Sequence, residues 1–159
     1  HSNIYAIAED NRGKMWVGTR GNGLKIGEEW YRNDISNPAS LADNNVFSLY
    51  KDRKDRMWIG TFGGGLELAE PMQDGKYNFR HFLQQKFGLR MIRVIEEDDN
   101  GMIWVGTSEG VCIFHPDSLI IVMIIICSII PTELFAAMKS DVFTGIQKDV
   151  CGWELPAPA

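Results

Sequence analysis

The chain predicts an all-β fold, a partial β-propeller of four-stranded antiparallel blades, and three observations carry that prediction. First, an acidic turn followed by Trp-aliphatic-Gly-Thr occurs three times. The copies are Glu9-Asp10 with Gly13-Lys14-Met15-Trp16-Val17-Gly18-Thr19, Lys51-Asp52 with Arg56-Met57-Trp58-Ile59-Gly60-Thr61, and Glu97-Asp98 with Gly101-Met102-Ile103-Trp104-Val105-Gly106-Thr107. Second, Trp16, Trp58 and Trp104 fall 42 and 46 positions apart, a period suited to one propeller blade per repeat. Third, each repeat carries short β-prone runs separated by turn residues.

Within a repeat the elements follow in order. Asn3-Ile4-Tyr5-Ala6-Ile7-Ala8 and Asn45-Val46-Phe47-Ser48-Leu49-Tyr50 read as first strands with apolar residues on both faces, suited to a doubly covered inner position. Asp10-Asn11-Arg12-Gly13 and its copies read as hairpin turns, the Asp bonding nearby backbone. The Trp strand follows, its Trp supplying bulk for the contact between neighbouring sheets and its Gly leaving room for close backbone approach. After a Gly-containing turn, Leu24-Lys25-Ile26, Leu66-Glu67-Leu68 and Val111-Cys112-Ile113-Phe114 read as third strands. Trp30-Tyr31-Arg32 and Tyr77-Asn78-Phe79-Arg80-His81-Phe82 read as polar edge strands. The blades are placed at 1–44, 45–88 and, in part, 89–118, with 119–159 outside the repeats.

Composition is that of a globular chain, 45% hydrophobic and 23% charged. A formal net charge of -5 argues against nucleic-acid binding, which needs clustered positive charge. Cys112, Cys127 and Cys151 show no paired spacing for a disulfide framework or a zinc site. The chain opens inside a repeat without a leader and reads as a fragment.

The pattern E-D-x-x-G-x-[MLI]-W-[VI]-G-T-x-x-G-G-L, with Ser40-Leu41-Ala42-Asp43-Asn44-Asn45-Val46 in the long connection, resembles the two-component regulator propeller repeat over residues 3 to about 118. That repeat builds the extracytoplasmic sensor region of hybrid histidine kinases, best known from gut Bacteroides-type bacteria. The resemblance implies a periplasmic, non-catalytic sensor that recognises a glycan, with no cofactor. The implied partners are an oligosaccharide, the remaining propeller blades and a homodimeric parent receptor. The kinase and the other later parts of such receptors are absent from this sequence.

The tail departs from the repeat. Leu119 to Ile130 is a twelve-residue apolar run, shorter than the roughly 20 residues of a membrane-spanning helix and longer than a typical buried strand. No membrane segment is therefore assigned. The genetic code offers a third reading. In the minus-one frame Met123-Ile124 must give aspartate, Met138-Lys139 glutamate and Trp153-Glu154 glycine. From the Gly145/Ile146 junction onward that frame permits D-S-K-G-R-M-W-V-G-T, with its Trp 47 positions after Trp104. Residues from about 119 onward are thus expected to be an out-of-frame translation of a fourth blade, never selected to pack on the first three, and the tail is expected to be irregular. A coding sequence whose minus-one frame lacks W-V-G-T after Asp149 would overturn this.

Candidate sites were weighed against architecture. Trp16, Trp58 and Trp104 recur in an alternating strand and read as core. The acidic pairs recur at turns, whereas a catalytic pair would occur once. His81 and His115 stand alone at strand ends, so no metal site is assigned, and Gly63-Gly64-Gly65 lacks the helix of a phosphate-binding loop. The positions that vary between copies lie in the turn after the second strand and in the connection between blades, on one face of a propeller. There Arg20, Asn22, Phe62 and Glu109 are the expected ligand contacts. Two other propeller classes stay open. A streptogramin-lyase-like enzyme carries a similar Trp repeat but uses His at the channel mouth. A structural interaction propeller of the WD type has Asp after its Trp. With too few blades to close a ring, the chain is expected to expose apolar sheet faces and to self-associate.

Overall fold

The computed structural model describes residues 3–82, 91–118 and 120–126. Twelve strands form three antiparallel four-stranded sheets, each running in chain order from its first strand to its fourth. The first sheet holds β1 (Ile4–Glu9), β2 (Met15–Thr19), β3 (Leu24–Ile26) and β4 (Glu29–Tyr31). The second holds β5 (Val46–Lys51), β6 (Met57–Thr61), β7 (Leu66–Pro71) and β8 (Tyr77–Phe82). The third holds β9 (Ile92–Glu97), β10 (Ile103–Thr107), β11 (Gly110–His115) and β12 (Ile120–Ile126). No helix occurs among the described residues, and so none is long and apolar enough to cross a membrane.

Each acidic turn is closed by the same set of bonds. The amide of residue 13, 55 or 101 donates to the carbonyl of Asp10, Asp52 or Asp98 at 3.0 Å. The residue there takes positive φ, as Gly13 (77°), Asp55 (59°) and Gly101 (77°), a region that Gly enters freely and Asp tolerates. The Asp carboxylate accepts two further backbone amides. In the second blade these come from Lys54 at 2.9 Å and Arg56 at 3.0 Å. Its other oxygen accepts the indole N–H six residues on, at 3.1 Å for Trp16, 2.9 Å for Trp58 and 2.9 Å for Trp104. One side chain therefore shapes the turn and fixes the rotamer of the Trp.

The Trp side chains fill the spaces between blades. Trp16 packs with Leu24 and Ile26 of its own sheet and with Met57, Ile59, Ala69 and Phe79 of the next. Trp58 does the same toward Ile92, Ile95, Ile103, Val105, Cys112 and Phe114. The inner strands meet in order, β5 lying beside β1 on one side and β9 on the other. The glycine of Trp-aliphatic-Gly-Thr admits this approach. A Cβ on Gly18 would stand 2.7 Å from Val46 Cγ1, and one on Gly60 would stand 2.6 Å from Ile92 Cγ2. The first strands of the second and third blades thus each drive an aliphatic knob into the preceding blade.

Two expectations are revised. The first strand of the first blade is not covered on both faces, because among the described residues no sheet packs against its outer face. Ile4 and Ile7 of β1 are 58% and 61% exposed, whereas Val46, which has a preceding blade to pack against, is fully buried. The tail is not irregular from its start, since Ile120–Ile126 pairs with β11 as the outer strand of the third sheet. β11 offers an unpaired edge, and an isoleucine-rich run has the β preference to fill it whatever its origin. The suspected fourth repeat, at about residues 145–155, lies outside the described residues.

Candidate functional site

The mouth is built where the first strands begin and the second strands end. Three equivalent backbone bonds tie these points together: the amides of Arg20, Phe62 and Ser108 donate to the carbonyls of Asn3, Asn45 and Met91 at 2.9, 3.0 and 3.2 Å. Beneath them Thr19, Thr61 and Thr107, all buried, turn their hydroxyls onto the carbonyls of Gly23, Gly65 and Gly110 at 2.8 to 2.9 Å. The loop tips are therefore carried on a rigid, repeated frame.

Each inner strand also carries a β-bulge at the same place. Pairing steps from Ile4↔Thr19 to Ala6↔Gly18, from Val46↔Thr61 to Ser48↔Gly60, and from Ile92↔Thr107 to Val94↔Gly106. In every blade one residue is skipped: Tyr5, Phe47 and Arg93. A bulge leaves the extra residue unpaired and re-aims its side chain, which is why bulges are common beside binding sites. The residue before each bulge is the aliphatic one, Val46 and Ile92 being the fully buried knobs. Burial of that residue anchors the strand while the next turns outward.

The three bulge residues meet in one open cleft of about 310 Å3, lined by Tyr5, Phe47, Phe62, Met91 and Arg93. Its volume is at the lower end of the roughly 300–1,000 Å3 usual for small-molecule sites. Tyr5 and Phe47 lie edge to face with ring centroids 4.8 Å apart, and Phe47 and Phe62 likewise at 5.2 Å. Tyr5 and Phe62 remain 42% and 44% exposed, so the row presents apolar ring surface to an incoming molecule.

Of the four residues expected from sequence, Phe62 is in this cleft. Arg20 occupies the equivalent mouth position of the first blade and is exposed. Asn22 and Glu109 are exposed in the tight turns, where the Asn22 carbonyl accepts from Arg32 Nε at 3.1 Å and the Glu109 amide donates to Thr107 Oγ1 at 3.1 Å. Arg20, Asn22 and Glu109 are outside the lining of the cleft. Sequence reading passed over Tyr5, Phe47, Met91 and Arg93 by treating the first strands as scaffold. A signal was present: position 5/47/93 is Tyr, Phe or Arg, whereas the preceding one is Ile, Val or Ile.

A second group lies at the connection from β4 to β5. Glu67 is fully buried. Its Oε1 accepts the Ala42 amide at 2.9 Å and stands 3.1 Å from His81 Nε2, which is also 2.8 Å from the Ser40 carbonyl. Its Oε2 has no partner among the described residues. Burial pushes the Glu67 carboxyl above its ordinary range, with the His81 and Ala42 bonds opposing. The bond to Glu67 raises the His81 imidazole above its own. His81 therefore does not stand alone as its sequence context suggests. Together with the Phe79 amide, which donates to the Ala39 carbonyl at 2.9 Å, the pair fastens the inter-blade connection to the outer half of the second blade.

Three segments, 1–21, 40–63 and 87–109, match the family model described as two component regulator propeller. These segments are similar to two-component regulator propeller repeats. The match falls on the parts that build the mouth: the bulged inner strand, the Asp turn and the Trp strand. Among solved structures the chain is similar to the extracellular domain assigned to a hybrid two-component system from B. thetaiotaomicron. The two are 26% identical with a TM-score of 0.63, over 80% of this chain and 17% of that one. It is also similar to virginiamycin B lyase from Staphylococcus aureus, at 15% identity and a TM-score of 0.49, over 72% of this chain and 39% of that one. Among curated proteins no sequence matches. The chain thus spans about one sixth of the length of the B. thetaiotaomicron domain.

Proposed function

We propose that the chain is part of a periplasmic sensor propeller of a hybrid two-component receptor, and that it recognises a glycan without altering it. The observation that carries this reading is the cleft of bulge residues. Tyr5, Phe47 and Phe62 form a continuous aromatic row at the mouth of the inner strands, and the C–H faces of a sugar ring suit such a surface. The repeat family and the hybrid two-component relative support the sensor role. The remaining blades of a parent receptor, and its second copy, complete the reading.

The cleft lining supports binding over turnover. Glycoside cleavage uses paired carboxylates and related eliminations use a general base, yet the lining is Tyr5, Phe47, Phe62, Met91 and Arg93. His81 is engaged by Glu67, and the His115 Nδ1 accepts the Asp117 amide at 3.2 Å.

Glycan-array binding with the full chain, followed by mass analysis of the recovered ligand, tests this. The expected result is saturable binding that Phe47→Ala weakens, with the ligand recovered intact. Absence of any glycan binding by the wild type, or recovery of cleaved ligand, would overturn it.

A further inference from the structure

We infer that the glycan taken by the cleft is acidic, carrying a carboxylate or sulfate that Arg93 receives. This rests on the glycan reading above and specifies its chemical class. The first two bulge residues are aromatic and the third is Arg93, so a cation stands at the third-blade end of the aromatic row. Arg93 is exposed, and none of the ion pairs or hydrogen bonds among the described residues involves it. Contrast Arg53 and Arg56 on the opposite rim: Arg53 is paired with Glu97 at 2.9 Å, and Arg56 with Asp52 at 2.6 Å and Asp117 at 2.8 Å.

In a chain of net charge -5, an unengaged guanidinium aimed into a cleft is a local exception to the prevailing field, and its planar fork matches a carboxylate or sulfate. The bulge gives the geometry. Because Ile92 is fully buried as the knob against Gly60, the backbone at residue 93 is held firmly, and the Arg side chain starts from a fixed point beside Met91. A sugar ring seated against this aromatic row would share the cleft with Arg93, which lines it too. Uronate and sulfate share this chemistry, and the test separates them.

Titration calorimetry of the full chain with trigalacturonic acid, its methyl ester and a heparin-derived disaccharide decides the matter. The ester keeps the rings and removes the charge. The wild type is expected to bind one of the two anions about tenfold more tightly than the ester, the scale of one charge-assisted contact, and to lose that margin in high salt. Arg93→Gln is expected to erase the preference, weakening anion binding about tenfold more than ester binding, with Arg93→Lys intermediate. Phe47→Ala is expected to weaken anion and ester alike. If ester and anions bind equally, or if the preference survives Arg93→Gln, the acidic class is wrong while glycan recognition stands. If neither the three probes nor a panel of neutral glycans binds, both readings fall.

Discussion

Trp58 Nε1 donates to Asp52 Oδ2 at 2.9 Å, and this pair, repeated as Trp16 with Asp10 and Trp104 with Asp98, joins the turn of each blade to the core between blades. Asp52 is 4% exposed and Trp58 is fully buried. Asp52 also accepts the amides of Lys54 and Arg56 and pairs with the Arg56 guanidinium. Asp52→Ala would leave the indole N–H and two amides without their acceptor. It is expected to lower unfolding free energy in urea by about 1–3 kcal/mol, the cost of stranding buried donors. Asp10→Ala, at a more exposed turn, is expected to cost less. Equal effects at the two sites would show that burial of the pair is not what matters.

Ser48 Oγ is buried without a hydrogen-bond partner among the described residues, and a Cβ built on Gly60 would lie 2.0 Å from it. Ser48→Ala removes a stranded hydroxyl and is expected to stabilise by about 1 kcal/mol. Gly60→Ala overpacks the same spot and the Ile92 knob, and is expected to destabilise by about 1–3 kcal/mol. Ser48→Ala should stabilise more in the Gly60→Ala background than alone, since the two sites share one space. Simple additivity in a double-mutant cycle would contradict that.

Glu67 and His81 are both pushed above their ordinary values of 4.5 and 6.5, with Asp43 as the further charged group facing Glu67. The folded chain therefore holds more protons than the unfolded one across that window. The His81 contribution is fully present below 6.5 and is lost as pH rises through its raised folded value. For Glu67, the unfolded carboxyl ionises first and the buried one resists, so stability falls as pH rises above 4.5. Unfolding curves at pH 5 to 8 are expected to show the wild type losing stability relative to Glu67→Gln as pH rises. A difference independent of pH would rule out the pair as its source.

Ile4, Ile7 and Met15, at 58%, 61% and 44% exposure, leave the free face of the first sheet apolar. Sedimentation of the full chain is expected to show concentration-dependent association, reduced by Ile4→Ser with Ile7→Lys. Association unchanged in that double variant would place the contact elsewhere.

Much of the fold was legible because it repeats. The spacing of Trp16, Trp58 and Trp104 gave the blade period, and the Asp turns and Gly-rich turns placed the hairpins, though β7 runs three residues past the expected Leu68 to Pro71 and β12 was not anticipated. Phe62, which lines the cleft, was singled out because it lies in a loop that differs between copies. Tyr5, Phe47 and Arg93 were missed for a physical reason: a bulge inserts one residue into a strand whose alternation otherwise looks unbroken, so nothing local announces that the side chain has been turned out of the sheet. Glu67 left a fainter mark, a carboxylate between Leu66 and Leu68 where the other copies have Lys25 and Cys112.

The sequence by itself determined the repeat, the order of its strands and the Trp that fills the space between blades, since these follow from local turn chemistry and from burying one Trp per repeat. Only the tertiary structure brought the residues of the cleft together. Tyr5, Phe47 and Arg93 are some 42 and 46 positions apart, and they become neighbours because Val46 and Ile92 lock each inner strand against the glycine of the blade before it. The register of the β7–β8 hairpin sets Glu67 opposite His81, and only the folded chain carries the β4–β5 connection over them, with the Ala42 amide on the Glu67 carboxylate.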